Sequence, residues 1–258
     1  MNRLRNLTLC ADDFGQSKDI SEGILDLIAC RRLTATSVLT EGPFWPDGAQ
    51  RLKDLQDRAD VGLHLNLTHA FPNTSGSRPL IHWLMTTQTG HVPRERIKER
   101  FVRQIDLFVR HFRRLPDFID GHQHVHQFPV IRDVLLNEIQ NRFSTEESFW
   151  VRNTQPPQNS SLPDALKCKT LVWLGGKNLR TKLMEADIRT NQGFLGVYGF
   201  NALTVENYRK LMRQWLKAAT NKSLLMCHPA NKPVQNDAIG KQRPIEFEYL
   251  KSDLLKTD

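Results

Sequence analysis

Covalent cross-links, membrane spans and nucleotide-binding loops find little support in this chain. It has four cysteines, Cys10, Cys30, Cys168 and Cys227, with no C-x-x-C pair and no short even spacing. That distribution points to free thiols of a reducing compartment rather than a disulfide framework. No apolar run approaches the ~18 residues of a membrane helix. The chain also reaches Asp12 and Asp13 before an apolar signal segment can form, so a cytoplasmic protein without a transmembrane segment is expected. There is no G-x-x-x-x-G-K-[ST] loop for nucleotide phosphates. Neither a G-x-S-x-G elbow nor a cysteine nucleophile signature is present, which disfavours covalent acyl-enzyme chemistry. No internal repeat or low-complexity tract interrupts residues 1–258, which read as one domain.

What is present is ordinary globular composition with a basic excess. The 258 residues are 39% hydrophobic and 25% charged, with 36 Lys+Arg against 28 Asp+Glu, a formal charge of +8. The excess has one visible concentration: Arg96, Arg100, Arg103, Arg110 and Arg114 lie opposite an apolar stripe of Ile97, Phe101, Ile105, Phe108 and Phe112. The stripe predicts a helix over 94–114. Its basic face lacks the interleaved aromatics of a single-strand binder, so it reads as a solvated surface and nucleic acid is not expected as a partner.

The chain alternates between strand-like and helix-like segments. Leu7 and Leu9 begin a first strand, Ser17 is a candidate N-cap, and Ile20, Ile24, Leu27 and Ile28 recur at helical spacing. Strands are expected at 36–40, 61–67, 118–120, 149–152, 170–174, 194–197 and 223–227. Between 68 and 92 a long loop with a short element around Ile81–Met85 is expected, with a lid as one reading. Pro244 opens a final helix with Phe247, Leu250 and Leu254 on one side. Alternating strands and helices predict an α/β fold with parallel strands.

Metal-binding and proton-transferring side chains fall at the ends of these strands: Asp12 and Asp13 after the first, His64 in the third, His122, His124 and His126 after the fourth, and His228 after a late one. In a parallel (β/α) barrel those ends converge on one rim, where active sites lie. Taken alone, Asp12-Asp13-Phe14-Gly15 reads as readily as a surface turn. In an extended segment neighbouring side chains face opposite sides, so the two carboxylates need not share a job. If Asp120 to His126 were extended, Asp120, His122, His124 and His126 would face one side and suit Zn²⁺ or Ni²⁺. Which histidine would be the ligand stays open at this level. A mixed Asp/His set suits metal-assisted hydrolysis, with a carboxylate as base and a histidine as acid.

The segments Ala11-Asp12-Asp13-Phe14-Gly15, Gly62-Leu63-His64-Leu65-Asn66-Leu67-Thr68, Asp120-Gly121-His122-Gln123-His124-Val125-His126 and Cys227-His228-Pro229 occur in an order that resembles the YdjC-like carbohydrate deacetylases. Thr34-Ala35-Thr36-Ser37 and Val151-Arg152 resemble further segments of that family. The resemblance implies an irregular, TIM-barrel-like (β/α) barrel and one divalent metal ion, Mg²⁺ or Zn²⁺, held by Asp13, His64 and His122. It implies Asp12 as general base and His228 as the proton donor to the leaving amine. Arg152, His124 and His126 are carried over as substrate-binding residues, with Arg152 alternatively orienting Asp12. The implied reaction is N-deacetylation of an amino sugar on an oligosaccharide or glycolipid, and some relatives are homodimers. Gln123 stands where the family often has His, and Gly121 where some members have Ser. Two other classes stay in view: a metal-dependent phosphoesterase, and a non-catalytic carbohydrate- or nucleic-acid-binding barrel.

Overall fold

A computed structural model describes residues 6–72, 74–143, 148–158 and 162–257, with side chains not described for 256–257. Eight parallel strands form one sheet: β1 (Leu7–Phe14), β2 (Ala35–Val38), β3 (Asp60–Leu65), β4 (Phe118–Gly121), β5 (Trp150–Val151), β6 (Arg189–Thr190), β7 (Gly193–Leu195) and β8 (Ser223–Cys227), in the spatial order β6-β5-β4-β3-β2-β1-β8-β7. The edge strands β6 and β7 are separated in sequence by Asn191 and Gln192 alone. A connection that short brings the two edges together, so the sheet curls into a barrel with one open seam. Polar side chains close it: Asn153 Nδ2 donates to the Asn191 carbonyl at 2.6 Å, and Asn191 Nδ2 donates to the Asn153 and Gly193 carbonyls at 3.1 and 3.0 Å.

Strand β1 lies between β2 and β8 and is buried along nearly all its length, which is why it reads as an apolar run rather than an alternating one. Alternation decides what each face meets. Cys10, Ala35, Phe118, Phe194, Leu224 and Met226 pack together inside the barrel. Leu9, Ala11 and Leu225 join the larger core between sheet and helices.

The helices follow the apolar spacing. Lys18–Ala29 is capped by Ser17, whose hydroxyl accepts from the Ile20 N–H at 3.3 Å. Arg94–Phe112 buries the stripe from Ile97 to Phe112. Residues 68–92 carry a full helix, Leu80–Thr89, anchored by Trp83 Nε1 donating to the Leu67 carbonyl at 3.0 Å and ended at Gly90, where φ is +72°.

The expected strand at 170–174 is a correction: Ala165–Leu171 is an α-helix that runs on into a π-helical turn, Val172–Gly176. A five-residue apolar run carries no periodicity that separates strand from helix. The helix expected from Pro244 spans Arg243–Lys251 and stops before Leu254, which belongs to a separate short helix, Leu254–Thr257. The short strand β6 has no signal in the sequence. The four cysteines form no disulfide. Among the described residues no helix is long and apolar enough to cross a membrane.

Candidate active site

The C-terminal ends of β1, β3, β4 and β8 open into a cavity of about 590 Å³, whose lining includes Asp12, Asp13, His64, His122 and His228. The local backbone explains how two adjacent carboxylates both reach it. Strict alternation would send Asp12 and Asp13 to opposite faces. Instead the β1–β2 register shifts between Ala11 and Phe14, and Asp13 takes φ +71°. This irregularity turns Asp13 back toward the same rim.

The two carboxylates then meet different partners. Asp13 Oδ1 lies 3.1 Å from His122 Nδ1 and 3.5 Å from His64 Nε2. One donor atom from each of the three residues lies within 4.8 Å of the others, an arrangement able to hold an ion. His64 is aimed from behind: its Nδ1 is 2.6 Å from Asp120 Oδ1 and 3.0 Å from Ser37 Oγ, leaving Nε2 for the cavity. Such a carboxylate–histidine pair commonly orients a metal ligand. Burial disfavours charge on His64, yet Asp120, Asp12 and Asp13 outweigh it and raise its pKa, so the pocket favours positive charge. Donor chemistry, convergence and electrostatics all fit a divalent cation at Asp13, His64 and His122.

Cys10, Asp12 and Asp120 form a second cluster of that kind. It is already filled by a cation from the protein itself. Arg152 Nη2 sits 3.0 Å from Cys10 Sγ, 2.7 Å from Asp12 Oδ1 and 2.6 Å from Asp120 Oδ2, while Nη1 donates to Asp12 Oδ2 at 2.7 Å. Burial pushes the Asp12 carboxyl up, but the Arg152 guanidinium prevails and holds it well below the usual carboxylate range.

His228 faces Asp12 from β8, with Nε2 3.9 Å from Asp12 Oδ2 and its ring edge-on to Phe200. Its peptide N–H donates to Glu246 Oε2 at 2.6 Å. Glu246 is fully buried and also accepts from the hydroxyls of Tyr198 and Tyr208.

The segment after β4 is not extended. Residues 122–127 form a 3₁₀-like turn in which Gln123 and His124 take φ of +52° and +59°. The three histidines therefore separate. His122 joins Asp13, and His124 lines the cavity edge-on to Phe194. His126 is fully buried, with Nε2 2.9 Å from the Arg152 carbonyl. Burial pushes the pKa of His124 and of His126 down to about 3, so both rings are neutral near pH 7. Of the three residues expected to touch substrate, only His124 lines the cavity; Arg152 and His126 lie fully buried behind the lining.

Sequence reasoning missed Arg243 and Glu246. Both belong to the helix Arg243–Lys251, and both are buried despite their charge. Arg243 Nη2 donates to Asp13 Oδ2 at 2.7 Å. A charged residue at the start of an amphipathic helix normally reads as surface, so nothing local marks either residue.

Comparison with known proteins bears on the family and the fold. Residues 6–258 match the family model described as YdjC-like protein. A chitooligosaccharide deacetylase of Escherichia fergusonii is 27% identical over 264 residues, covering 98% of this chain and 93% of its own. Among solved structures, a protein of Enterococcus faecalis V583 assigned by description to cellobiose-phosphate cleavage superposes with a TM-score of 0.65 at 21% identity, covering 97% of this chain and 92% of that one. A peptidoglycan N-acetylglucosamine deacetylase superposes with a TM-score of 0.50 at 12% identity, covering 98% and 82%. At those identities the structural likeness speaks for the fold. The family match spans nearly the whole chain and includes every residue of the rim, and on that basis the protein belongs to the YdjC-like family.

Proposed function

We propose that this protein hydrolyses the N-acetyl group of an acetylated amino sugar, carried on an oligosaccharide or a glycolipid, releasing acetate and a free amine with the help of one divalent metal ion. The observation that carries the reading is the division between two neighbouring carboxylates: Asp13 Oδ1 faces His64 and His122, whereas Asp12 is held by Arg152 and faces His228. Family membership and the Escherichia fergusonii relative named as a chitooligosaccharide deacetylase support the same chemistry.

Asp13, His64 and His122 would hold the ion. When bound there, a divalent cation supplies Lewis acidity toward the acetyl carbonyl and acidifies water. The donor set suits Zn²⁺ by ligand softness, while the family resemblance also admits Mg²⁺. Asp12 takes the proton of the attacking water. Arg152 keeps Asp12 ionised and fixes its direction with two hydrogen bonds, so little reorganisation accompanies the transfer. His228, across the cavity, gives a proton to the departing nitrogen, its backbone held by Glu246. The neutral His124 ring adds a hydrogen-bonding edge to the wall without adding charge. The whole of 1–258 is proposed to act as a single deacetylase domain.

The phosphoesterase alternative requires a guanidinium free to cradle an anion. The two buried at this site are each matched by two carboxylates, Arg152 by Asp12 and Asp120, and Arg243 by Asp13 and Asp237. Chelator-stripped protein should release no acetate from N-acetylglucosamine oligomers or glycolipids and should regain activity with Zn²⁺ or Mg²⁺. Full activity in both Asp12→Asn and His122→Ala would refute this mechanism. Binding of sugar without turnover in reloaded protein would favour the non-catalytic barrel.

A further inference from the structure

We infer that Arg243 is a positioning residue that makes Asp13 a one-oxygen ligand, occupying Oδ2 so that only Oδ1 is presented to the cation. The inference rests on the proposed function for its metal and concerns a residue outside the proposed ligand set and acid–base pair. Arg243 is 2% exposed, and its guanidinium reaches three separate parts of the rim. Nη2 donates to Asp13 Oδ2 at 2.7 Å, Nε donates to Asp237 Oδ2 at 2.8 Å, and Nη1 donates to the His228 carbonyl at 3.4 Å. The planar fork is suited to such a junction because its donors keep fixed relative directions.

Asp237 is the counterweight. Its Oδ2 also accepts from Gln16 Nε2 at 3.2 Å, and its Oδ1 accepts from the Ile239 N–H at 2.8 Å. Both oxygens are thus engaged, and the Arg243–Asp237 pair brings little net charge to the ion. What Arg243 contributes to Asp13 is therefore direction. With Oδ2 held, the carboxylate cannot rotate to chelate through both oxygens or turn away from His64 and His122. Asp13 already occupies a left-handed backbone conformation at φ +71°, so backbone and side chain are constrained together.

The test is Co²⁺ binding to chelator-stripped protein, followed by calorimetry and visible absorption without any assay of turnover. The double variant Arg243→Met/Asp237→Asn removes one charge of each sign, leaving the net charge of the site unchanged. It should bind Co²⁺ at least tenfold more weakly than the parent while retaining cooperative unfolding. Arg243→Lys, which keeps the charge and loses the fork, should weaken binding at least threefold, and it decides by that criterion if the double variant does not fold. A merely structural role would lower the melting temperature and leave the affinity of the folded protein unchanged. Affinities within twofold of the parent, or tighter, would overturn the inference. A parent that binds no Co²⁺ would instead remove the metal from the proposed function and, with it, this role for Arg243.

Discussion

Arg152 donates to both carboxylate oxygens of Asp12, each at 2.7 Å, joining residues 140 positions apart in the chain. The same guanidinium reaches Asp120, which in turn orients His64. One buried cation thus connects the proposed base to the carboxylate behind a proposed metal ligand. Replacing it separates two effects. Arg152→Lys keeps the charge but not the fork, and kcat/KM for acetate release should fall on the order of 10²-fold while the fold is retained. Arg152→Met leaves Asp12 and Asp120 without their shared cation, and denaturant unfolding should register a loss of ~3–5 kcal/mol. Parent-like turnover in Arg152→Lys would show that the aim of Asp12 is unimportant.

His126 makes stability depend on pH in a predictable direction. Burial lowers its pKa from the ordinary 6.5 to about 3, so the folded protein keeps it neutral where the unfolded chain protonates it. Between those values the unfolded state binds more protons, and stability falls as the pH falls. The slope from one such group is at most ~1.4 kcal/mol per pH unit. His126→Gln retains a donor for the Arg152 carbonyl and should flatten the pH dependence by about one proton. Urea unfolding of parent and variant between about pH 4 and pH 6 measures the difference; equal slopes would count against a neutral buried His126.

Gly121 supports the turn that separates the histidines. A Cβ placed there would lie 2.9 Å from His126 Nδ1 and 3.0 Å from the His126 backbone nitrogen. Gly121→Ala should therefore destabilise by ~1–3 kcal/mol, the usual range for overpacking a filled interior. Thermal unfolding tests this directly. An unchanged melting temperature would mean that the 122–127 turn yields more readily than its close contacts imply.

The elements legible in the sequence are those with local causes. Ser17 caps the helix Lys18–Ala29 and the Ile97-to-Phe112 stripe lies in a helix, both as expected. The positions of Asp12, His64, His122 and His228 near strand ends follow from apolar runs meeting polar turns. Where local signals fail, the reason is equally specific. Residues 170–174 carry too short an apolar run to distinguish strand from helix, and β6 spans only Arg189–Thr190. The histidine segment has the spacing of an extended strand, but left-handed residues at Gln123 and His124 coil it.

By itself, the sequence determined the order of most strands and helices, the 165–176 helical stretch and β6 excepted, and assigned candidate acids, bases and ligands to one rim, because hydrophobic periodicity and turn chemistry act over a few residues. Only the tertiary structure decided the separate placements of Asp12 and Asp13, through a strand irregularity that turns Asp13 back to the rim. The family resemblance had offered Arg152 as a partner for Asp12, and the structure shows it there; the structure alone supplied Arg243, 230 positions away in the chain, for Asp13. Buried charge must find an opposite charge wherever the fold offers one. That requirement acts through space, and residue spacing carries no record of it.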